Sequence, residues 1–176
     1  MIIVPTDPEA HRYFDFVAWA VAFLSGWAVS RWRLAEARAK FPRESGYVFS
    51  LGIGAVIGAY VAGSLPSLMR GEGSLSHSVV GALAGAVTAI ELYKAARGIK
   101  GSTGGIFVAP FTVGIVIGRF GCLFSGLADG TYGTPTGLPW GVDLGDGVSR
   151  HPVQIYESLS MAAFLLLYLE GLARRR

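Results

Sequence analysis

Charge is scarce in this chain: 15 Lys and Arg with 12 Asp and Glu make up 15% of its 176 residues, where a soluble domain carries about 25%. That shortage, with 52% hydrophobic residues and a mean hydropathy of +0.48, excludes an ordinary water-soluble globule. The lone cysteine, Cys122, excludes an intramolecular disulfide. Three histidines, His11, His77 and His151, stand far apart, with no His-x-x-x-His or Cys-x-x-Cys spacing, so neither a metal nor another cofactor is expected. A Gly-x-Ser-x-Gly elbow is also missing, which argues against a serine hydrolase built on Ser125 with His77 or His151. The formal charge of +3 does not form a basic face that would suit nucleic acid. Its cations are segregated between loops, a pattern of membrane orientation.

What the chain does have is apolar runs and glycine. The runs at 14–30, 47–69, 77–93, 105–118 and 152–172 predict an all-α polytopic membrane bundle, one domain over 1–176. The first, 17 residues, rises about 25 Å as helix and needs its flanks to span. An acidic leader (Asp7, Glu9) precedes it and cations follow it, the reverse of a secretory signal, so it reads as a retained helix. Pro110 predicts a kink in the fourth run, and Pro152 marks the start of the fifth. Among the 25 glycines are three Gly-x-x-x-Gly pairs, Gly54/Gly58, Gly81/Gly85 and Gly114/Gly118, each expected at a close helix crossing.

The loops after helices one and three, with the C-terminus, hold Arg31, Arg33, Arg38, Lys40, Arg43, Lys94, Arg97, Lys100, Arg174, Arg175 and Arg176. The other side holds only Arg12, Arg70, Arg119 and Arg150. The bias predicts an outer N-terminus and a cytoplasmic C-terminus. It also puts His77, which follows the segment Gly71-Glu72-Gly73-Ser74-Leu75-Ser76 and is expected to begin helix three, on the outer face. The long polar stretch from Gly118 to Glu157, most of it a loop between helices four and five, falls there as well.

That stretch collects the titratable residues. Arg119, flanked by Gly118 and Gly121 at the expected end of helix four, offers a planar fork for a phosphate, or snorkels to the interface. His77 could take a proton near neutral pH, or be an interfacial histidine solvated by water. Arg150 and His151 sit at the mouth of helix five; Gln154 and Glu157, three apart, share one face of it. Glu157 is placed to pair with Arg119 or Arg150, or to sit at a helix start favoured by the dipole. Glu91 and Glu170 read as anchors at helix ends, Asp15 is harder to dismiss, and Asp129 and Asp143 have no evident role.

These residues in this order resemble the prolipoprotein diacylglyceryl transferase family. His11-Arg12-Tyr13 is similar to that family's His-x-Tyr, followed by a glycine-rich second helix around Gly58. Gly73-Ser74-Leu75-Ser76-His77 with Gly81 resembles its histidine segment. Gly118-Arg119-Phe120-Gly121 and Arg150-His151-Pro152-Val153-Gln154-Ile155-Tyr156-Glu157 carry the most specific likeness. The likeness is to a short, divergent member. Where the family signature continues with two amides and a carboxylate, Cys122, Ser125 and Leu127 stand here, although Gly130 fits. Ala59 occupies the place of the family's helix-two arginine, and two further family helices have no counterpart up to Arg176.

The resemblance implies transfer of a diacylglyceryl group from an anionic phospholipid to a thiol or similar nucleophile, with a lipobox-bearing prolipoprotein as second partner. It implies a bacterial inner-membrane location. His77 and Arg119 would be catalytic; Tyr13, Gly121, Gly130, Arg150, His151, Gln154, Tyr156 and Glu157 would bind substrate. The alternatives are a non-catalytic lipid-binding or assembly protein of the same fold and, less well matched to five helices without a repeat, a small transporter.

Overall fold

The computed structural model describes residues 1–34, 44–71, 73 and 75–174. Arg38, Lys40, Arg43, Glu72, Ser74, Arg175 and Arg176, named above, lie outside the described residues. The described chain is polytopic and mostly helical, with five helices long and apolar enough to cross a membrane: α1 (Ala10–Trp32), α2 (Ser45–Met69), α3 (Val79–Arg97), α4 (Gly105–Ser125) and α5 (Val153–Arg174). Phe16, Trp19 and Phe23 on α1 and Leu166 and Leu167 on α5 are each more than two-thirds exposed. Such faces suit lipid, in which a helix satisfies its own backbone.

The chain divides into two compact units. One comprises Met1–Arg38 with Gly105–Arg176; the other is Ala39–Gly104. In the second unit α2 and α3 form an antiparallel pair. Side chains added at Gly54, Gly58, Gly81 or Gly85 would run into the facing backbone, so only glycine permits this approach. Ser78 caps α3, its hydroxyl accepting from the Gly81 amide at 3.1 Å, and Gly98 ends it in the left-handed region at φ 66°. Tyr47, in the first turn of α2, is fully buried and shares a 2.8 Å hydrogen bond with Thr103.

In the first unit α4 is the helix on which both α1 and α5 pack, each antiparallel to it. Gly26 gives the Pro110 ring room, so α1 passes over α4 there, and α4 continues as helix through Pro110. The third expected glycine pair is not a crossing: nothing lies within 4 Å of a Cβ built at Gly114 or Gly118.

Helix four also runs seven residues beyond its expected end at Gly118. Phe120, Leu123 and Ile155 pack with Val4, Val142 and Leu144 in a small core, and that burial carries the helix past two glycines to Gly126, where φ turns positive. After a 3-10 turn (Gly126–Asp129) the chain forms a folded cap. Strand β1 (Ile2–Ile3) pairs in parallel with β2 (Val142–Asp143), and Arg150 bridges Val142 and Pro135.

Candidate functional site

The start of α1 is fixed from outside itself. Its first turn has no side-chain cap at Glu9, and the His11 amide donates instead to Ser125 Oγ at 3.1 Å, at the end of α4. Gly121 lets the helices meet there, since a Cβ on it would crowd Phe14 and His11. Nearby, the Asp7 amide donates to the Phe124 carbonyl at 2.8 Å, and Phe14 stacks on Phe124.

This junction gathers a polar cluster among apolar helices. Arg119 Nε lies 2.5 Å from Glu157 Oε2, though out of line for a hydrogen bond, and its Nη1 donates to Cys122 Sγ at 3.5 Å. Cys122 Sγ is also 3.5 Å from His11 Nε2, which lies 3.3 Å from Asp129 Oδ1. On the far side of the ring, His11 Nδ1 contacts Asp15 Oδ2 at 3.0 Å. Thr131 donates to the second oxygen of Asp129. Arg119 is thus inside α4 rather than at its end, half-buried between a carboxylate and a thiol. A guanidinium in that position can receive a phosphate on the donors it has left.

The other expected residues fall around this cluster unevenly. Gln154 is buried and donates to the Thr131 carbonyl at 3.1 Å, while its Oε1 has no partner. Gly130, left-handed at φ 69°, ends the 3-10 turn. Tyr156 accepts from Trp140 Nε1 at 2.8 Å and lies 3.4 Å from His151 Nδ1. Arg150 is committed elsewhere: both its terminal nitrogens donate to Asp146, at 2.6 and 2.7 Å, and its guanidinium lies over Tyr132. That pairing holds the Asp146 carboxyl below the usual carboxylate range, and Asp146 raises Arg150 in turn. Tyr13 points outward, 71% exposed.

His77 belongs to the second unit. It stands just before α3 rather than beginning it, because Ser78 takes the cap. The segment is held on α2 by Ser76, whose hydroxyl donates to the Gly63 carbonyl at 2.5 Å, and by the Ser78 amide on the Ala59 carbonyl at 3.0 Å. The His77 ring packs on Tyr60 at 4.9 Å between centroids.

Sequence reasoning passed over His11, Asp15, Cys122 and Asp129 as site residues. The four-residue spacing of His11 and Asp15 and the three-residue spacing of Arg119 and Cys122 were visible on helical faces. The 111-residue gap between His11 and Cys122 was not bridged by any local pattern. Asp143, which accepts from the amides of Gly145, Asp146 and Gly147, is a turn-builder.

A family model described as prolipoprotein diacylglyceryl transferase matches residues 12–176. Relatives named phosphatidylglycerol–prolipoprotein diacylglyceryl transferase include one from Methylococcus capsulatus, 34% identical over 54% of this chain and 36% of its own length. One from Geobacter sulfurreducens is 31% identical over 73% of this chain and 53% of its own. One from Solidesulfovibrio magneticus is 26% identical over 99% of this chain and 72% of its own. The chain thus spans about a third to seven-tenths of the length of these relatives. No solved structure matches it significantly.

Proposed function

Because the chain belongs to the prolipoprotein diacylglyceryl transferase family, we propose that it is a membrane transferase that moves a diacylglyceryl group from phosphatidylglycerol to a thiol. The observation that carries this reading is Arg119, a half-buried guanidinium in a membrane helix, with Glu157 as its partner from the next helix. An arginine at that depth is costly unless it serves a polar site. The phospholipid's phosphate docks on Arg119. His77 takes the proton of the attacking thiol, the sulfur bonds to the glycerol carbon, and the carbon–oxygen bond to phosphate breaks, releasing a glycerol phosphate. Stabilising that leaving anion is the main catalytic demand. Gln154, Gly121 and Gly130 shape the floor beside Arg119; Tyr13, Arg150, His151 and Tyr156 meet the substrate at its edge, under the cap between α4 and α5. The acceptor is the thiol of a lipobox-bearing prolipoprotein, and the protein is one membrane domain of a bacterial inner membrane, N-terminus outside.

A second reading, a phospholipid-binding or assembly protein without turnover, is favoured by Cys122, Ser125 and Leu127 standing where the family signature has amides and a carboxylate. Purified protein with labelled phosphatidylglycerol and a lipobox peptide separates the two. The transferase labels the peptide, and Arg119→Ala abolishes the label. Lipid binding with no transferred label, unchanged by His77→Ala, overturns it in favour of the second reading.

A further inference from the structure

We propose that His11, Cys122 and Asp129 form a binding site for a divalent transition metal, zinc being the ion their donor set fits best. One imidazole nitrogen, one thiolate sulfur and one carboxylate oxygen are the three ligand types zinc takes, and three protein ligands leave a fourth tetrahedral position open to water. The donor atoms lie within 4.8 Å of one another. Zinc bond lengths of about 2.3 Å to sulfur and about 2.0 Å to nitrogen or oxygen set tetrahedral edges near 3.6 Å for N···S and about 3.3 Å for N···O. The observed edges are 3.5 Å for His11 Nε2 to Cys122 Sγ and 3.3 Å for His11 Nε2 to Asp129 Oδ1. The sulfur–oxygen edge lies within the same 4.8 Å.

The surroundings point the same way. A metal-bound histidine hands its other ring nitrogen to a carboxylate, and bound carboxylates are themselves hydrogen-bonded. Here Asp15 holds His11 Nδ1 at 3.0 Å, Thr131 donates to the outer oxygen of Asp129, and Arg119 Nη1 donates to Cys122 Sγ at 3.5 Å. Each of the three donors therefore has an orienting partner. Without an ion, His11 Nε2 faces a thiol and a carboxylate oxygen at once and can donate fully to only one of them. The side chain of His11 is 37% exposed, leaving the ion a route from water, whereas Cys122 is buried. Gly121, beside Cys122, permits the helix approach that sets these distances. The ion would clamp the first turn of α1 to the end of α4, independently of whether the protein transfers lipid.

The test uses the full chain in detergent. Dialysed against zinc, it is expected to retain one ion per chain and to unfold at a higher temperature. Cobalt in its place is expected to give a thiolate charge-transfer band in the near ultraviolet. Cys122→Ala removes the band, Asp15→Asn weakens zinc retention by about 10- to 100-fold, and Asp129→Asn, which loses a ligand, weakens it at least as much, while His151→Ala leaves it unchanged. Zinc retained equally by wild type and Cys122→Ala, or a cobalt protein without the thiolate band, overturns the site. If Cys122→Ala fails to fold, alkylation of Cys122 decides: zinc protects it, and equal labelling with and without zinc refutes the assignment.

Discussion

A Cβ added at Gly121 would lie 2.9 Å from Cβ of Phe14 and 3.4 Å from Cα of His11, whereas one added at Gly118, a turn earlier on α4, meets nothing within 4 Å. The two glycines resemble each other in sequence and differ in what they permit. Gly121→Ala is expected to destabilise the fold by about 1–3 kcal/mol, because it overpacks a contact between two helices. Gly118→Ala is expected to be neutral or to stabilise by up to about 1 kcal/mol through helix propensity. Thermal unfolding of both variants in one detergent checks this, and equal effects would mean that α1 does not rest on Gly121. Pairing of Glu157 with Arg119 was one of the readings the sequence offered, beside Arg150 and a plain helix start, and the structure selects it. Cys122 and Asp129 had no such logic. Their partner His11 comes from the other end of the chain, and only packing brings it near.

At the scale of elements, apolar runs located all five helices, because lipid exposure demands continuous apolar sequence. Their ends were harder. Helix four outran its expected end because Phe120 and Leu123 find buried partners in the N-terminal segment and the cap, which no local pattern announces. The cap itself read as a loop, yet it is built on Asp143, on the Asp146–Arg150 pair and on pairing with residues 2–3. Its pH response follows from that pair. Asp146 titrates lower in the folded protein than when unfolded, so the pairing stabilises fully above the unfolded value of about 3.9 and fades as pH falls through the lower folded value. The cap is therefore expected to be indifferent between pH 7 and 5 and to loosen only in stronger acid. Trp140, bonded to Tyr156, reports this in a variant whose Trp19, Trp27 and Trp32 are phenylalanine. Asp146→Asn should show the loosened emission already at pH 7 and lose the acid step. An emission change centred near pH 6 would assign the response to a histidine instead.

For the molecule as a whole, the first unit constrains topology by itself. His11 meets Cys122 while Gly26 meets Pro110, and Ser158 meets Val116 while Tyr168 meets Gly105. So α1 and α5 both run against α4, and the end of α1 shares a membrane face with the start of α4. The intervening segment must then cross an even number of times, which the antiparallel α2 and α3 supply. The β1–β2 pairing independently keeps the N-terminal segment on the face of the cap. We infer sidedness from the cations: in the first unit Arg31, Arg33 and Arg174 lie toward the face where α4 starts, and short loops rich in Lys and Arg stay cytoplasmic. Alkaline phosphatase fused after Gly73 or Gly147 is therefore expected to be active, and inactive after Lys100 or Arg174. The reverse pattern would turn the cap, and Arg119 with it, toward the cytoplasm, and would overturn the proposed reaction at the outer leaflet. A fusion after Gly73 that behaves differently from one after Gly147 would instead mean that α2 and α3 do not each span the membrane.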